Sequence, residues 1–135
     1  MFQNSKRKFF LLLVLFSANT FSKEFNNYGD IKIEAEIVAF NEIENQLLLK
    51  KNVSVGFGNF IIEGDSALMS YEEKKLTIEG SPASINSEKD DVNGSAQRFI
   101  IYPNLSIKMY GDAKIFEGKK SIYSEQITYQ IKLND

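Results

Sequence analysis

The chain has 135 residues, 16 basic and 18 acidic side chains, a net charge of −2, and neither His nor Cys. This length is enough for one small domain, and without Cys its stability has to come from backbone pairing and apolar burial. The lack of His and Cys disfavours zinc sites and most nucleophilic or general-base catalysis. No basic patch suited to phosphate contacts is present, so no nucleic-acid partner is expected.

The segment from Met1 to Ser22 is typical of a secretory signal peptide. A basic segment (residues 6–8) precedes the apolar run FFLLLVLF (residues 9–16). Thr20 and Ser22 follow with the small-x-small spacing that signal peptidase requires, which predicts cleavage between Ser22 and Lys23. The alternative is an uncleaved membrane anchor, but a spanning helix needs about 20 apolar residues. Cleavage would leave residues 23–135 as one exported domain with a net charge of −5.

The rest of the chain has strand patterns and no sustained helical periodicity. Short runs rich in Val, Ile, Phe, Tyr and Thr alternate with turn residues about every 10 positions, which predicts roughly ten short strands. The first runs cover residues 30–40, 46–55, 60–71 and 75–79. The predicted turns are Gly29-Asp30, Gly56-Phe57-Gly58-Asn59, Gly80-Ser81-Pro82, Asn93-Gly94, Pro103-Asn104 and Gly111-Asp112.

Apolar and polar side chains alternate within these runs, as in Val53-x-Val55 and Leu76-x-Ile78. One face of each strand is therefore apolar and the other faces water. The pattern predicts an antiparallel sheet that is folded around an apolar interior.

A weak sequence repeat accompanies the alternation. Small residues recur at nearly equal intervals, at Ala35, Gly64, Gly94 and Ser124. An aromatic residue follows each of them, namely Phe40, Tyr71, Phe99 and Tyr129. This regular recurrence indicates a repetitive β architecture with two or three strands per repeat.

Two hypotheses follow from these features alone. The unpaired first and last strands of an open sheet could accept strands of other chains, which would suit a structural filament or an adhesin. Carboxylate pairs at Glu63 and Asp65, or at Asp90 and Asp91, could serve a glycosidase. The pattern favours solvated side chains at both pairs, and no spacing typical of a calcium site is present.

The order of several motifs resembles the LptA/OstA-like family of lipopolysaccharide transport proteins. That family has a Leu-rich strand ending in G-N-V, then I-x-A-D-x-A, G-x-P-A, V-x-G-x-A, G-N-A and a final I-x-G-D-x-I-x-Y strand. The matching segments here are Lys51-Asn52-Val53 and residues 62–67, 80–85, 92–96, 111–115 and 122–129. Lys51, Asp112 and Ser124-Glu125 depart from the family pattern at turn or surface positions.

The resemblance implies an all-β fold: a single twisted, partly open β-jellyroll of short antiparallel strands enclosing an apolar groove. It further implies a periplasmic protein, not an enzyme and without a cofactor, that shields the acyl chains of lipid A during transport. The residues expected to line the groove are Ile31, Ile33, Leu47, Leu49, Val53, Val55, Leu76, Ile78, Ile85, Phe99, Ile101, Leu105, Ile107, Met109 and Tyr129. The alternative for each of them is simple core packing.

The resemblance also implies partners at both ends of the sheet. The N-terminal edge would meet an inner-membrane LptC-like component, and the C-terminal edge an outer-membrane LptD-like translocon. Head-to-tail homo-oligomers are a further possibility. A membrane-anchored LptC-like protein of the same fold stays open as an alternative, which cleavage at Ser22 would exclude.

Overall fold

The computed structural model describes residues 31–132. The predicted signal peptide, its cleavage site at Ser22 and Lys23, and the predicted Gly29-Asp30 turn lie outside these residues. Within them, no helix has the length and apolarity needed to cross a membrane. The strands are β1 (Ile31–Glu34), β2 (Ile37–Asn41), β3 (Gln46–Phe57), β4 (Phe60–Ser70), β5 (Lys75–Ser87), β6 (Val92–Ile101), β7 (Ser106–Glu117) and β8 (Lys120–Gln130).

All eight strands form one antiparallel sheet in which chain neighbours pair from β3 to β8. Both β1 and β2 pair with β3, β1 with its C-terminal part and β2 with its N-terminal part. In the described chain, the sheet is open between the β1–β2 edge and the β8 edge. The predicted all-β fold with a partly open sheet is confirmed.

The strands are fewer and longer than expected, since six of them have 10–13 residues. Three of the predicted turns were wrong because Gly80-Ser81-Pro82, Asn93-Gly94 and Gly111-Asp112 lie inside β5, β6 and β7. The predicted turn at Pro103-Asn104 is confirmed. Of the predicted turn at Gly56-Phe57-Gly58-Asn59, only Gly58-Asn59 is a turn, because Gly56 and Phe57 end β3.

A line of irregularities, here called the bend, crosses the middle of the sheet. At each long strand the regular register is interrupted there. Bulges of this kind increase the local twist and bend a strand. The bend consists of Lys51-Asn52 in β3, Gly64-Asp65 in β4, Gly80-Ser81-Pro82 in β5, Ala96-Gln97 in β6, Gly111-Asp112 in β7 and Glu125 in β8.

The bend divides the sheet into two halves. Half-sheet A contains β1 and the strand segments next to the turns at 58–59, 88–91 and 118–119. Half-sheet B contains β2 and the strand segments next to the turns at 42–45, 71–74 and 102–105. The buried apolar side chains of both halves form one cluster, so the half-sheets enclose a common interior.

The sequence repeat corresponds to a repeat of hairpins. Successive hairpins of two long strands begin at Gln46, Lys75 and Ser106. Two of the recurring small residues lie where the backbones approach closely: a Cβ at Gly64 would lie 2.7 Å from the carbonyl oxygen of Glu79, and one at Gly94 would lie 2.5 Å from the carbonyl oxygen of Lys114. Close approach of neighbouring strands therefore explains why these two positions are glycine.

The bend contains one residue, Lys51, whose replacement by glycine should stabilise the protein. Lys51 has a φ of 68°, a left-handed conformation that disfavours side chains with a Cβ. We expect Lys51→Gly to raise the free energy of unfolding by about 0.5–1 kcal/mol, because relief of strain exceeds the entropy that glycine adds to the unfolded chain. The matched control is Lys50→Gly, since Lys50 pairs regularly with both Ile37 and Ser66.

Urea denaturation of the two variants measures this difference. Lys50→Gly should lower the stability by about 0.5–1 kcal/mol, as glycine does inside a regular strand. A loss of stability in both variants would contradict the assignment of strain to Lys51.

Candidate functional site

All but one of the predicted groove residues lie on the inner faces of the two half-sheets, and the exception, Leu105, lies in the turn before β7. Fourteen of them are buried, and Tyr129 is half-buried and packs against the same cluster. The structure thus brings together the whole set that alternation selected, while their contact with lipid stays a prediction. The buried members are Ile31, Ile33, Leu47, Leu49, Val53, Val55, Leu76, Ile78, Ile85, Phe99, Ile101, Leu105, Ile107 and Met109.

Sequence reasoning left out several inner-face residues. Alternation could have found Ile62 and Met69, whose register partners Val55 and Leu47 are buried. It could also have found Ile115, which is buried and two residues from buried Ala113. Phe57 and Phe60 flank a turn, where the alternation of strand side chains no longer predicts which way a residue faces. Both are buried, and their rings stack with centroids 6.4 Å apart. The other core residues outside the predicted groove set are Ala35, Ala67, Tyr71, Ala83, Val92, Ala96, Ala113, Ile127 and Ile131.

Contacts of Tyr129 show that half-sheet B folds back over half-sheet A. Its ring centroid lies 6.4 Å from that of Phe60, although β4 and β8 are four strands apart in the sheet. Four strand spacings would separate them by about 19 Å in a flat sheet. The Tyr129 hydroxyl also donates a hydrogen bond of 3.2 Å to Glu117 Oε2 at the far end of β7. The interior is therefore enclosed on the side opposite the bend.

The environment of Tyr129 changes its acidity. Partial burial, followed by the nearby charge of Glu117 and the hydrogen bond to it, raises the pKa of Tyr129 from 10.0 to about 12. The folded protein consequently holds this proton more tightly than the unfolded chain does. The resulting stabilisation is fully present below pH 10 and is lost as the pH rises towards 12.

This difference predicts the alkaline titration of the protein. Absorbance of tyrosinate should show one group that titrates near pH 12 in the wild-type protein and is missing in Tyr129→Phe. The variant should also lose less stability than wild type between pH 10 and 12. Identical titration curves for the two proteins would contradict the assigned contact.

Apolar inner-face side chains become exposed at the two open ends of the interior. Phe40 on β2 faces inward as the register partner of buried Leu47, yet it is 52% exposed. Ile122 on β8 pairs with buried Ile115 and is 51% exposed. The apolar interior therefore continues to the surface at both edges of the sheet.

The outer face is polar, and one of the two carboxylate pairs considered for catalysis lies there. Glu63 and Asp65 are exposed beside the bend. Asp90 belongs to the turn between β5 and β6, where its Oδ2 accepts a hydrogen bond of 2.7 Å from Ser87 Oγ. Among residues 31–132 there is no group of three or more His, Cys, Asp or Glu side chains that could hold a metal ion.

A polar cleft of about 840 Å³ follows the bend on the outer face. Its lining includes Gly80, Arg98, Tyr110 and Asp112. Arg98 Nε forms an ion pair of 3.0 Å with Glu79 Oε2 across this surface. The cleft is separate from the apolar interior, because its side chains point away from the buried cluster.

Residues 32–135 match the family described as LptA/(LptD N-terminal domain) LPS transport protein. The chain belongs to this LptA-like family. Its members are transport proteins, so the prediction that the chain is not an enzyme is confirmed. The predicted family is also confirmed, and the match covers every strand except the first residue of β1.

The LptA-like fold is also evident from a solved structure. The crystal structure of LptH, the LptA homologous periplasmic component of the conserved lipopolysaccharide transport device from Pseudomonas aeruginosa, is similar with a TM-score of 0.66. The two chains are 15% identical, and the similarity covers 74% of this chain and 75% of the LptH chain. No curated protein matches the chain.

Proposed function

We propose that the protein binds lipopolysaccharide and shields its lipid A acyl chains in the apolar interior during transport through the periplasm. The observation that carries this proposal is the continuous apolar interior between the half-sheets, in a chain of a lipopolysaccharide transport family. The residues that would contact the acyl chains are the fifteen groove residues predicted from the sequence. No covalent step is required for this function.

The free energy of exposing an acyl chain explains the need for such an interior. Each CH₂ group that enters water costs about 0.8 kcal/mol, so a chain of about a dozen carbons costs roughly 10 kcal/mol. An apolar surface that is continuous from one end of the protein to the other removes most of this barrier.

The open edges support assembly by strand addition. In half-sheet A the inner-face Ile122 is exposed at β8, and in half-sheet B Phe40 is exposed at β2. Pairing of either edge with another sheet would satisfy backbone groups and cover these side chains. We propose an inner-membrane LptC-like partner at the N-terminal edge and an outer-membrane LptD-like partner at the C-terminal edge, with a head-to-tail homo-oligomer as a second arrangement.

Export and cleavage after Ser22 complete the proposal. Cell fractionation and sequencing of the mature N-terminus test this part. A periplasmic protein that begins at Lys23 agrees with a free carrier, whereas a membrane-bound protein that begins at Met1 points to an anchored LptC-like component.

Comparison of intact and fully deacylated lipopolysaccharide tests whether acyl chains are the bound group. We expect the purified mature protein to bind the intact molecule at least about a hundredfold more tightly, because burial of only four CH₂ groups is worth about 3 kcal/mol. Equal affinity for both would place binding on the saccharide and contradict the proposal. No affinity for either would leave the structural filament as the better explanation.

A further inference from the structure

Acyl chains need a way into an interior that is already filled. The inner-face residues are packed on one another, and Ile62, Phe99 and Ile107 are each 0% exposed. An acyl chain can therefore enter only if inner-face side chains move apart, and separation of the half-sheets is one way to achieve this. The strands whose backbones come close together are all neighbours within the sheet. The two inner faces therefore contact each other through side chains.

The half-sheets are connected differently on their two sides. At the bend the long strands run without a break from one half-sheet to the other, and regular pairing is interrupted there. On the opposite side Tyr129 of half-sheet B meets Phe60 and Glu117 of half-sheet A through side chains. The half-sheets can therefore separate where only side chains join them. The bend, where the chain is continuous, would then act as the hinge.

We propose that Tyr129, Phe60 and Glu117 form a latch, and that acyl chains reach the interior when the half-sheets part at this latch. The inference rests on the proposed function. It differs from threading, in which the chains would slide in from the open ends at Phe40 and Ile122.

The chemistry of the latch suits a contact that opens and closes. Its polar part is a single hydrogen bond of 3.2 Å to an exposed carboxylate, so water replaces the lost partner when it opens. Its apolar part is a contact between two rings, and an acyl chain can take the place of either ring in that contact. Opening at this point therefore exposes little apolar surface to water, because the arriving lipid covers it again.

A crosslink across the latch tests this inference. The chain has no Cys, so Glu117→Cys with Tyr129→Cys can be bridged selectively by a short bismaleimide. We expect the bridge to slow association with lipopolysaccharide at least tenfold relative to the same unbridged variant. The control pair is Lys108→Cys with Thr128→Cys, which are direct register partners outside the interior and should change the rate less than twofold when bridged.

The outcomes separate the latch from the proposed function. Unchanged association of the bridged latch pair would show that acyl chains thread from the ends, and it would overturn the latch while the proposed function stands. If wild-type protein does not bind lipopolysaccharide at all, the proposed function fails and the latch fails with it.

Tyr129→Phe provides a second test that does not depend on the Cys pair. It keeps the ring beside Phe60 and removes the hydrogen bond to Glu117, so we expect association to become about fivefold faster. Tyr110→Phe is the matched control, because Tyr110 lies on the outer face and lines the polar cleft. Equal rates for both variants and wild type would overturn the latch.

Discussion

Replacing Phe99 by Ala is expected to lower the free energy of unfolding by about 3–5 kcal/mol, because it leaves a cavity in a closely packed core. Phe99 is 0% exposed and lies on β6 between the inner-face residues Ile78 and Met109 of the neighbouring strands. A loss of this size is a large part of the total stability of a small domain.

The matched control for Phe99 is its neighbour Ile100. Ile100 points to the outer face and is half-buried, so Ile100→Ala should cost about 1 kcal/mol or less. Urea denaturation followed by circular dichroism measures both variants. Similar losses for the two would contradict the assignment of Phe99 to the inner face.

Replacing Gly94 by Ala is expected to destabilise the protein by about 2–3 kcal/mol, although alanine usually improves a strand. The added Cβ would lie 2.5 Å from the carbonyl oxygen of Lys114 and 3.2 Å from Ile115 Cα. Both atoms belong to the β7 backbone, which cannot move without disturbing its pairing with β6 and β8. Overpacking of this kind typically costs about 1–3 kcal/mol.

The same substitution at Gly56 provides the control. A Cβ at Gly56 would have its nearest neighbour, the carbonyl oxygen of Phe60, at 3.8 Å, which is ordinary van der Waals contact. Gly56→Ala should therefore be neutral or stabilise the protein by up to about 0.5–1 kcal/mol. If Gly94→Ala is as stable as Gly56→Ala, close approach of β6 and β7 is not the reason for the glycine.

The inner-face residues could be predicted from the sequence because alternation is a local signal. Pairs such as Val53 and Val55, or Leu76 and Ile78, are two residues apart within one regular strand segment. Their facing depends only on the pleat, which has a period of two. The predictions held on both sides of the bend because each segment contained its own apolar pairs.

The bend could not be predicted, because the residues that form it signal something else. Gly80-Ser81-Pro82 has the residue types of a turn, yet it lies inside β5 and forms part of the bend. Gly111 and Asp112 have φ angles of 87° and 48°, as turn residues do, but they form a bulge within β7. Whether such residues end a strand or bend it depends on neighbouring strands.

The latch is harder to predict from the sequence than any other feature described above. Tyr129 was selected for its position in an alternating run, and nothing in that run indicates Phe60 or Glu117 as its neighbours. Their contact results from the bend acting across several strands, so only the folded sheet reveals it.

The most direct test of acyl-chain shielding uses a photoreactive side chain within the protein in cells. Placed at Phe99 or Ile101 on the inner face, it should crosslink to lipopolysaccharide, and placed at the outward residue Lys108 it should not. Lys108 is a suitable control because it lies on β7, directly opposite Ile100 in the register and on the outer face of the same half-sheet. Lipopolysaccharide adducts confined to Phe99 and Ile101 would agree with a lipid-filled interior, whereas equal labelling at all three positions would contradict it.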